Sequence, residues 1–416
     1  MTAKPHLGDA LWLRGGEVAR LLDVLDRDGE EARVVGGAVR NALLGLSIGE
    51  VDLATTAVPE EVIRRVTAAG WKAVPTGIDH GTVTVVIDGK PFEVTTLRQD
   101  VETDGRHAKV AFGRDWRIDA QRRDFTINAL SATADGAVYD YVGGSADIAV
   151  RRVRFIGEAK ERIAEDYLRI LRFFRFHAWY GAGSPDAVGL HACILARAGL
   201  ETLSRERIRM ELLKLLLAAH ATLTLAVMAE SGILGMVLGG VPLLASFENM
   251  VKVEAVTGLG ADAVRRLGAL GVSVKEDGER LAQRLRLSNA EAERLVALEH
   301  WWRVKPQSGE PTARALLYRL GSQSFADQVL VAWSRAAAGA ADPSWHALAN
   351  LPARWTVPVF PLKAADFIQR GIGAGPALGV ALRAAEQAWI AADFPAQRGA
   401  VETIADKTAR EVATNG

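Results

Sequence analysis

Apolar positions in the first 156 residues follow two periods. Short β-branched or aromatic runs read as strands: RVVGG at 33–37, TVTVVI at 82–87, FEVTTL at 92–97 and AVYDYV at 137–142. Between them, segments near 17–28, 38–45 and 59–69 space their apolar residues at helical intervals. Beyond residue 157 strand signals nearly vanish. The chain turns rich in Leu, Ala, Arg and Glu, as in ERLAQRLRLSNAEAERLVALEHWW, with one apolar stripe per helix. The segments 336–344 and 371–379 read as interhelix turns. The pattern predicts an α+β protein: an N-terminal head with a small mixed β-sheet, followed by an all-α C-terminal region.

One stretch carries chemistry. In RVVGGAVRNALLGLSIGEVDLATT, Gly36 and Gly37 follow a strand and open a helix. Glycines there let backbone N–H groups face an anion at a helix N-terminus, and Arg40, one turn on, reaches toward the same phosphate. A plain tight turn is the commoner meaning of such a pair. Glu50 and Asp52 are read onto the next strand, where positions i and i+2 share a side and two carboxylates repel. A divalent cation removes that repulsion, whereas a solvated strand edge tolerates it. Glu93 offers a third carboxylate on another predicted strand. Glycines for phosphate and three strand carboxylates suit metal-assisted phosphoryl transfer.

Composition narrows the setting. The chain has 416 residues, enough for several subdomains, and 49% hydrophobic residues, which marks a globular protein. The single cysteine, Cys193, excludes an intramolecular disulfide framework and fits a reducing, cytoplasmic compartment. The stretch MTAKPHLGDALWLRGG lacks a signal-type apolar core, and no run of about 18 apolar residues suggests a membrane span. Formal net charge is zero, so a polyanion would have to be held by local basic patches. The densest is RRVRFIGEAKERIAEDYLRILRFFRF at 151–176; others lie at Arg265 and Arg266, at 280–286 and at 303–305. Solvated helix faces explain these equally well.

The chain resembles the class II tRNA nucleotidyltransferase and bacterial poly(A) polymerase family of the nucleotidyltransferase superfamily. The matching text is VVGGAVRNALLG, EVDLATTAVPEEV, TGIDHGTVTVVIDGKPFEVTTLR, DAQRRDFTINALSA, YDYVGGSADIAVRRVRFIG, RIAEDYLRILRFFRF and LSRERIRMELLKLL, in family order over roughly residues 15–220. Two positions depart from the family: Glu50 stands where Asp is usual, and Asn41 follows Arg40 where Asp is usual.

The resemblance implies a nucleotidyltransferase head over 1–156, a helical neck that recognises the base over 157–265, and a helical body and tail over 266–416 that binds tRNA. It implies two Mg²⁺ ions on Glu50, Asp52 and Glu93. It implies nucleotide contacts from Gly36, Gly37, Arg40, Arg122, Arg123, Asp124, Asn128, Asp166, Arg169, Arg172 and Arg175. Asp124 and Asn128 lie four apart, on one face if a helix begins there, and helix capping is the structural alternative for Asp124. Asp166 and Arg169, three apart on one predicted helix, offer an acceptor and a donor to the Watson–Crick edges of cytosine and adenine; an ion-pair ladder is the alternative. The irregular segment 98–116 corresponds to a mobile loop, with His107 solvated or RNA-facing. The implied activity is untemplated addition of CCA to the tRNA 3′ end from CTP and ATP. Poly(A) synthesis and partial CC or A addition share these motifs. A catalytically inactive RNA-binding protein, with Glu50 as the lost ligand, is the reading from another class.

Overall fold

The computed structural model describes residues 5–8, 10–104 and 107–414. The chain forms two compact units, Met1–Val237 and Leu238–Gly416. The expected head and most of the expected neck therefore share one unit.

The first unit is built on a seven-stranded sheet. Its strands are β1 (Ala32–Val35), β2 (Asp52–Thr55), β3 (Lys72–Gly77), β4 (Thr82–Ile87), β5 (Lys90–Thr96), β8 (Ser131–Ala132) and β9 (Val138–Tyr139), in the order β3-β4-β5-β2-β1-β8-β9. β2 and β5 run parallel and all other neighbours antiparallel, so the sheet is mixed. In β4 the alternation is clean: Val83, Val85 and Ile87 are fully buried while the residues between them are half-exposed. They face an apolar layer to which the helices Gly16–Leu25 and Pro59–Ala68 contribute Leu21, Leu22, Val62 and Val66. The second of these helices starts on a proline, carries Glu60 and Glu61 in its first turn and Arg65 in its last.

Three local readings change. β3 lies at the sheet edge and is largely exposed, so it has no apolar alternation to betray it. The segment expected to be irregular holds a two-stranded hairpin, β6 (Arg98–Asp104) with β7 (His107–Phe112); the expectation for His107 lies outside the described side chains. The run AVYDYV is strand only at Val138–Tyr139. Asp140 then accepts from the backbone N–H groups of Val142, Gly143, Gly144 and Ser145 at 2.9–3.1 Å and turns the chain.

The same unit continues into the helices Ala159–Glu165, Leu168–Tyr180, Ala187–Ala196, Arg205–Leu216 and Ala221–Glu230. Aromatic packing joins them to the sheet region without a linker. Phe125 and Phe155 pair as an isolated bridge; the Phe125 ring packs at a tilt against Phe155 and against Phe173 and Phe176 of the helix Leu168–Tyr180, and Phe155 stacks on Phe173. That contact brings the RRDF segment against the basic face of the helix.

The second unit is helical. The helix Ala263–Gly271 is capped by Asp262, and Asn289–Ala297 opens on a Ser288–Glu291 capping box. The long helix Glu310–Arg335 breaks at Gly321, whose φ is 73°. Arg265 and Arg266, read as a basic patch facing either RNA or solvent, are buried instead: both pair with Glu254, and Arg265 also lies 3.6 Å from Asp327. They form a charged core cluster. No helix among the described residues is long and apolar enough to cross a membrane.

Candidate active site

Strand register explains why the glycine pair and the carboxylates lie together. Val35, the last residue of β1, pairs with Asp52, the first of β2, so the turn at Gly36 and Gly37 begins beside Asp52. Gly36 has φ 66° and ψ −117°, a combination open only to glycine, and the helix Gly37–Leu43 starts from it. On the other side of β2, Leu53 pairs with Val94 in parallel, which sets Glu93 level with Asp52 on the neighbouring strand. Glu50 departs from expectation: β2 begins at Asp52, so Glu50 belongs to the preceding loop.

These elements form one wall of a cleft of about 690 Å³. Gly36, Gly37, Arg40, Glu50 and Asp52 line that wall, joined by Arg123, Asp124 and Asn128. The helix Leu168–Tyr180 supplies the facing wall through Arg169, Arg172, Arg175, Phe176 and Tyr180, beside Asp166 and Arg207. Glu93 and Arg122 are outside the lining. Arg122 turns to Asp119, at 2.5 Å, rather than toward the cleft.

The Asp52 carboxyl is held above the usual range, first by desolvation in the wall, then by the charges of Glu93 and Glu50, with Arg123 pulling the other way. Among the described residues no three His, Cys, Asp or Glu side chains converge into a ready-made cage. The donor set nevertheless fits Mg²⁺, which takes one or two carboxylates and completes its shell with water and phosphate oxygens. Glu50 and Asp52 are hard oxygen donors on one wall, and their repulsion is what a divalent cation relieves.

Asp124 ties its wall to the facing helix through Arg172. No α-helix begins there; a 3₁₀ turn at Thr126–Asn128 follows instead. The expected contact still forms: Asp124 Oδ1 accepts from Asn128 Nδ2 at 3.2 Å and from the Phe125 N–H at 2.9 Å. Asp124 Oδ2 takes Nε and Nη2 of Arg172 at 2.8 and 2.5 Å. Burial raises this carboxyl, but Arg172 and the two hydrogen bonds outweigh it and hold it below the usual range. Arg175 is held by Glu211 at 2.5 Å and lies over the Phe176 ring, 4.4 Å from its centroid. Arg123 reaches Asp119 at 3.2 Å.

Asp166 and Arg169 do not share one helix. The helix Ala159–Glu165 ends, Asp166 takes an extended conformation, and the next helix starts at Leu168. Asp166 Oδ1 caps that helix by accepting from the Leu168 N–H at 3.1 Å, and Oδ2 accepts from Arg207 Nη2 at 2.6 Å. Arg169 pairs with Glu165 and donates to the Arg162 carbonyl at 2.6 Å. Each is thus steadied by its own partner, and both line the cleft.

Sequence reasoning missed Tyr180 and Arg207. Tyr180 extends the face made by Arg169, Arg172 and Phe176, a spacing that could have marked it. Arg207 arrives from a helix 41 residues away from Asp166, and no local pattern announces it.

Comparison with known proteins agrees with this arrangement. Residues 32–154 match the Poly A polymerase head domain, and residues 191–247 match the probable RNA and SrmB-binding site of polymerase A. CCA tRNA nucleotidyltransferase 1, mitochondrial, of Mus musculus is 34% identical over 412 residues, covering 93% of this chain and 89% of that one. A CCA-adding enzyme of Leuconostoc citreum is 42% identical over 218 residues, about half of each chain (51% and 52%). The crystal structure of the Bacillus stearothermophilus CCA-adding enzyme in complex with CTP superposes with a TM-score of 0.77 at 28% identity, covering 96% of this chain and 98% of the other. The chain belongs to the CCA tRNA nucleotidyltransferase family.

Proposed function

We infer that this protein adds CCA to the 3′ end of tRNA without a nucleic-acid template, using CTP and ATP and releasing pyrophosphate. The observation that carries the reading is the single cleft. It joins a glycine turn and two carboxylates on one wall to Asp166, Arg169 and a row of arginines on the other.

In this reading the tRNA 3′-OH attacks the α-phosphorus of the nucleotide; the new P–O bond forms as the bond to pyrophosphate breaks. Glu50 and Asp52 would hold a divalent cation, with Glu93 supporting Asp52 from the next strand. When bound, the cation neutralises charge on the transferring phosphoryl group. Backbone N–H groups at Gly36 and Gly37, with Arg40, Arg123 and Arg175, receive the phosphates. Asn128 faces the sugar, oriented by Asp124. Arg172, paired with Asp124, keeps that orientation fixed.

The base is read by protein. Asp166 accepts from the exocyclic amine of cytosine or adenine, and Arg169 donates to the adjacent ring nitrogen. The occupied oxygens of Asp166 retain lone pairs for this. Uracil and guanine present the opposite order and leave buried groups unpaired, which is costly. For the compartment we propose the cytoplasm, on the lone buried thiol Cys193. Cell fractionation tests this: recovery with mitochondria, as in the mouse relative's name, would replace it.

Single-turnover incorporation decides the activity. On tRNA lacking its CCA end, the protein should add two C residues and one A and then stop. Extended A-tailing of an oligo(A) primer, with CTP unused, would replace this reading with poly(A) synthesis. Tight tRNA binding with no incorporation would replace it with an inactive RNA-binding protein.

A further inference from the structure

Arg40 is a buried cation whose partners are all neutral. It is 6% exposed. Nε and Nη2 donate to Asn41 Oδ1 at 3.1 and 2.9 Å, Nη2 also to the Tyr180 hydroxyl at 2.8 Å, and Nη1 to Asn128 Oδ1 at 2.5 Å. The Tyr180 ring lies against it, 3.8 Å from Cζ to the centroid. No ion pair joins Arg40 to a carboxylate among the described residues. Asp124, which faces it through Asn128, is taken by Arg172. Burial is the largest influence on the Arg40 cation and disfavours it, as does the like charge of Arg175; Tyr180 and the more distant Asp124 favour it but do not outweigh burial. A desolvated charge with no carboxylate in direct contact is expensive to keep. Such a charge on a cleft wall gains its counter-ion when an anion enters.

Asn41 is the residue that leaves the charge open. It provides two of the four short contacts, through an oxygen that carries no charge. Its own Nδ2 donates to the Ser47 carbonyl at 3.0 Å, on the loop that leads to Glu50. An aspartate has the same shape but would set a carboxylate on Arg40 at the same distance. It would neutralise the guanidinium from within the protein and face the Ser47 carbonyl with a second acceptor.

We propose that Asn41 sets the affinity of the cleft for nucleotide phosphates, because it orients Arg40 through a neutral amide and so reserves the guanidinium charge for the incoming triphosphate. The inference rests on the nucleotide reading of the cleft given above. The charge acts on phosphates, which CTP and ATP share. Affinity for both should therefore move together, and base choice should stay put.

Tripolyphosphate is the direct probe, since it carries the charge without base or sugar. Its binding to the full chain is measured by titration calorimetry in EDTA, beside CTP. Asn41→Asp should weaken both by about tenfold, the effect of one partly buried ion pair expressed as affinity. Asn41→Ala loses the same Ser47 contact, and the acceptor on Arg40 as well, but adds no charge; it should stay within about threefold of the wild type. With metal restored, Asn41→Asp should raise KM for CTP and ATP alike and leave kcat within about twofold, as expected for an interaction made equally in ground and transition states. Wild-type affinity in Asn41→Asp overturns the proposal. So does equal weakening in both variants, which would assign the effect to contact geometry. Failure of the wild type to bind either probe would instead remove the nucleotide reading of the cleft. Melting curves accompany each variant, and if Asn41→Asp unfolds at the assay temperature, Asn41→Glu carries the charge test.

Discussion

Arg207 holds Asp166 across 41 residues of chain, with Nη2 2.6 Å from Oδ2. The contact fixes which edge of the carboxylate faces the cleft, where in the proposed reading Asp166 accepts from the incoming base. Arg207→Ala should lower kcat/KM for CTP and ATP together by about 1–3 kcal/mol, the usual cost of a lost charged hydrogen bond. Discrimination against UTP and GTP should shrink in the same variant, because a freed carboxylate no longer enforces the amine position. Asp166→Ala should do both more severely. Incorporation of all four nucleotides by each variant, beside its melting temperature, checks this. Full retention of selectivity in Asp166→Ala would show that the base is read elsewhere.

The two carboxylates at the head of β2 predict a different signature. Asp52→Ala should abolish turnover and leave tRNA affinity nearly unchanged, since its proposed task concerns the transferring phosphoryl group. A rate above about a tenth of wild type would be incompatible with loss of a metal ligand, which costs several kcal/mol of barrier. Glu50→Asp should preserve or raise the rate if Glu50 is a ligand, because the shorter carboxylate meets the same cation from the loop. A silent Glu50→Ala would make Glu50 a bystander.

The contrast between these sites shows what the chain order discloses. Gly36, Arg40 and Asp52 were legible because the strand, turn and helix that carry them are contiguous and each has a local signal. Glu93 needed only one further strand to come level with Asp52. The break at Asp166 was hidden, since EDYLRILRFFRF reads as unbroken helix; what splits it is the cap that Asp166 gives to Leu168. Arg265 and Arg266 resembled an RNA-facing patch because charge alone does not reveal burial. Only the fold brings Glu254 and Asp327 to them. Arg207 and Glu211 lay beyond reach for the same reason: their partners Asp166 and Arg175 are assembled by packing between helices, not by spacing.

Gly36 offers a backbone test. Its positive φ with ψ −117° is strained for any residue with a Cβ, and that Cβ would sit 3.4 Å from Arg123 Nη1. Gly36→Ala should destabilise the first unit by about 1–3 kcal/mol and depress nucleotide binding, as the turn rotates its N–H groups out of line. Gly45→Ala serves as the comparison. Its φ is also positive, at 67°, but no atom lies within 4 Å of the added carbon, and it is outside the cleft lining. Denaturation and CTP titration of both variants separate strain from loss of the phosphate cradle: the Gly45 variant should lose stability only.

The ion pair between Asp124 and Arg172 predicts a dependence of stability on acid. Asp124 is depressed in the folded protein, despite burial, by Arg172 and by its bonds to Asn128 and Phe125. In the unfolded chain it titrates near the ordinary value of about 3.9. The folded state therefore binds this proton less readily. The stabilisation is fully present above the unfolded value and drains away as pH falls through the lower, folded one. Melting temperature should thus be insensitive to this group from neutral pH down to about 5 and fall steeply below about 4. Asp124→Asn keeps the shape but removes the charge. It should melt lower at neutral pH, where Arg172 is left facing an amide, and its acid limb should be shallower than that of the wild type. Parallel acid limbs in the two proteins would mean that other carboxylates govern acid unfolding and that the Asp124 pair contributes orientation to the cleft without stability.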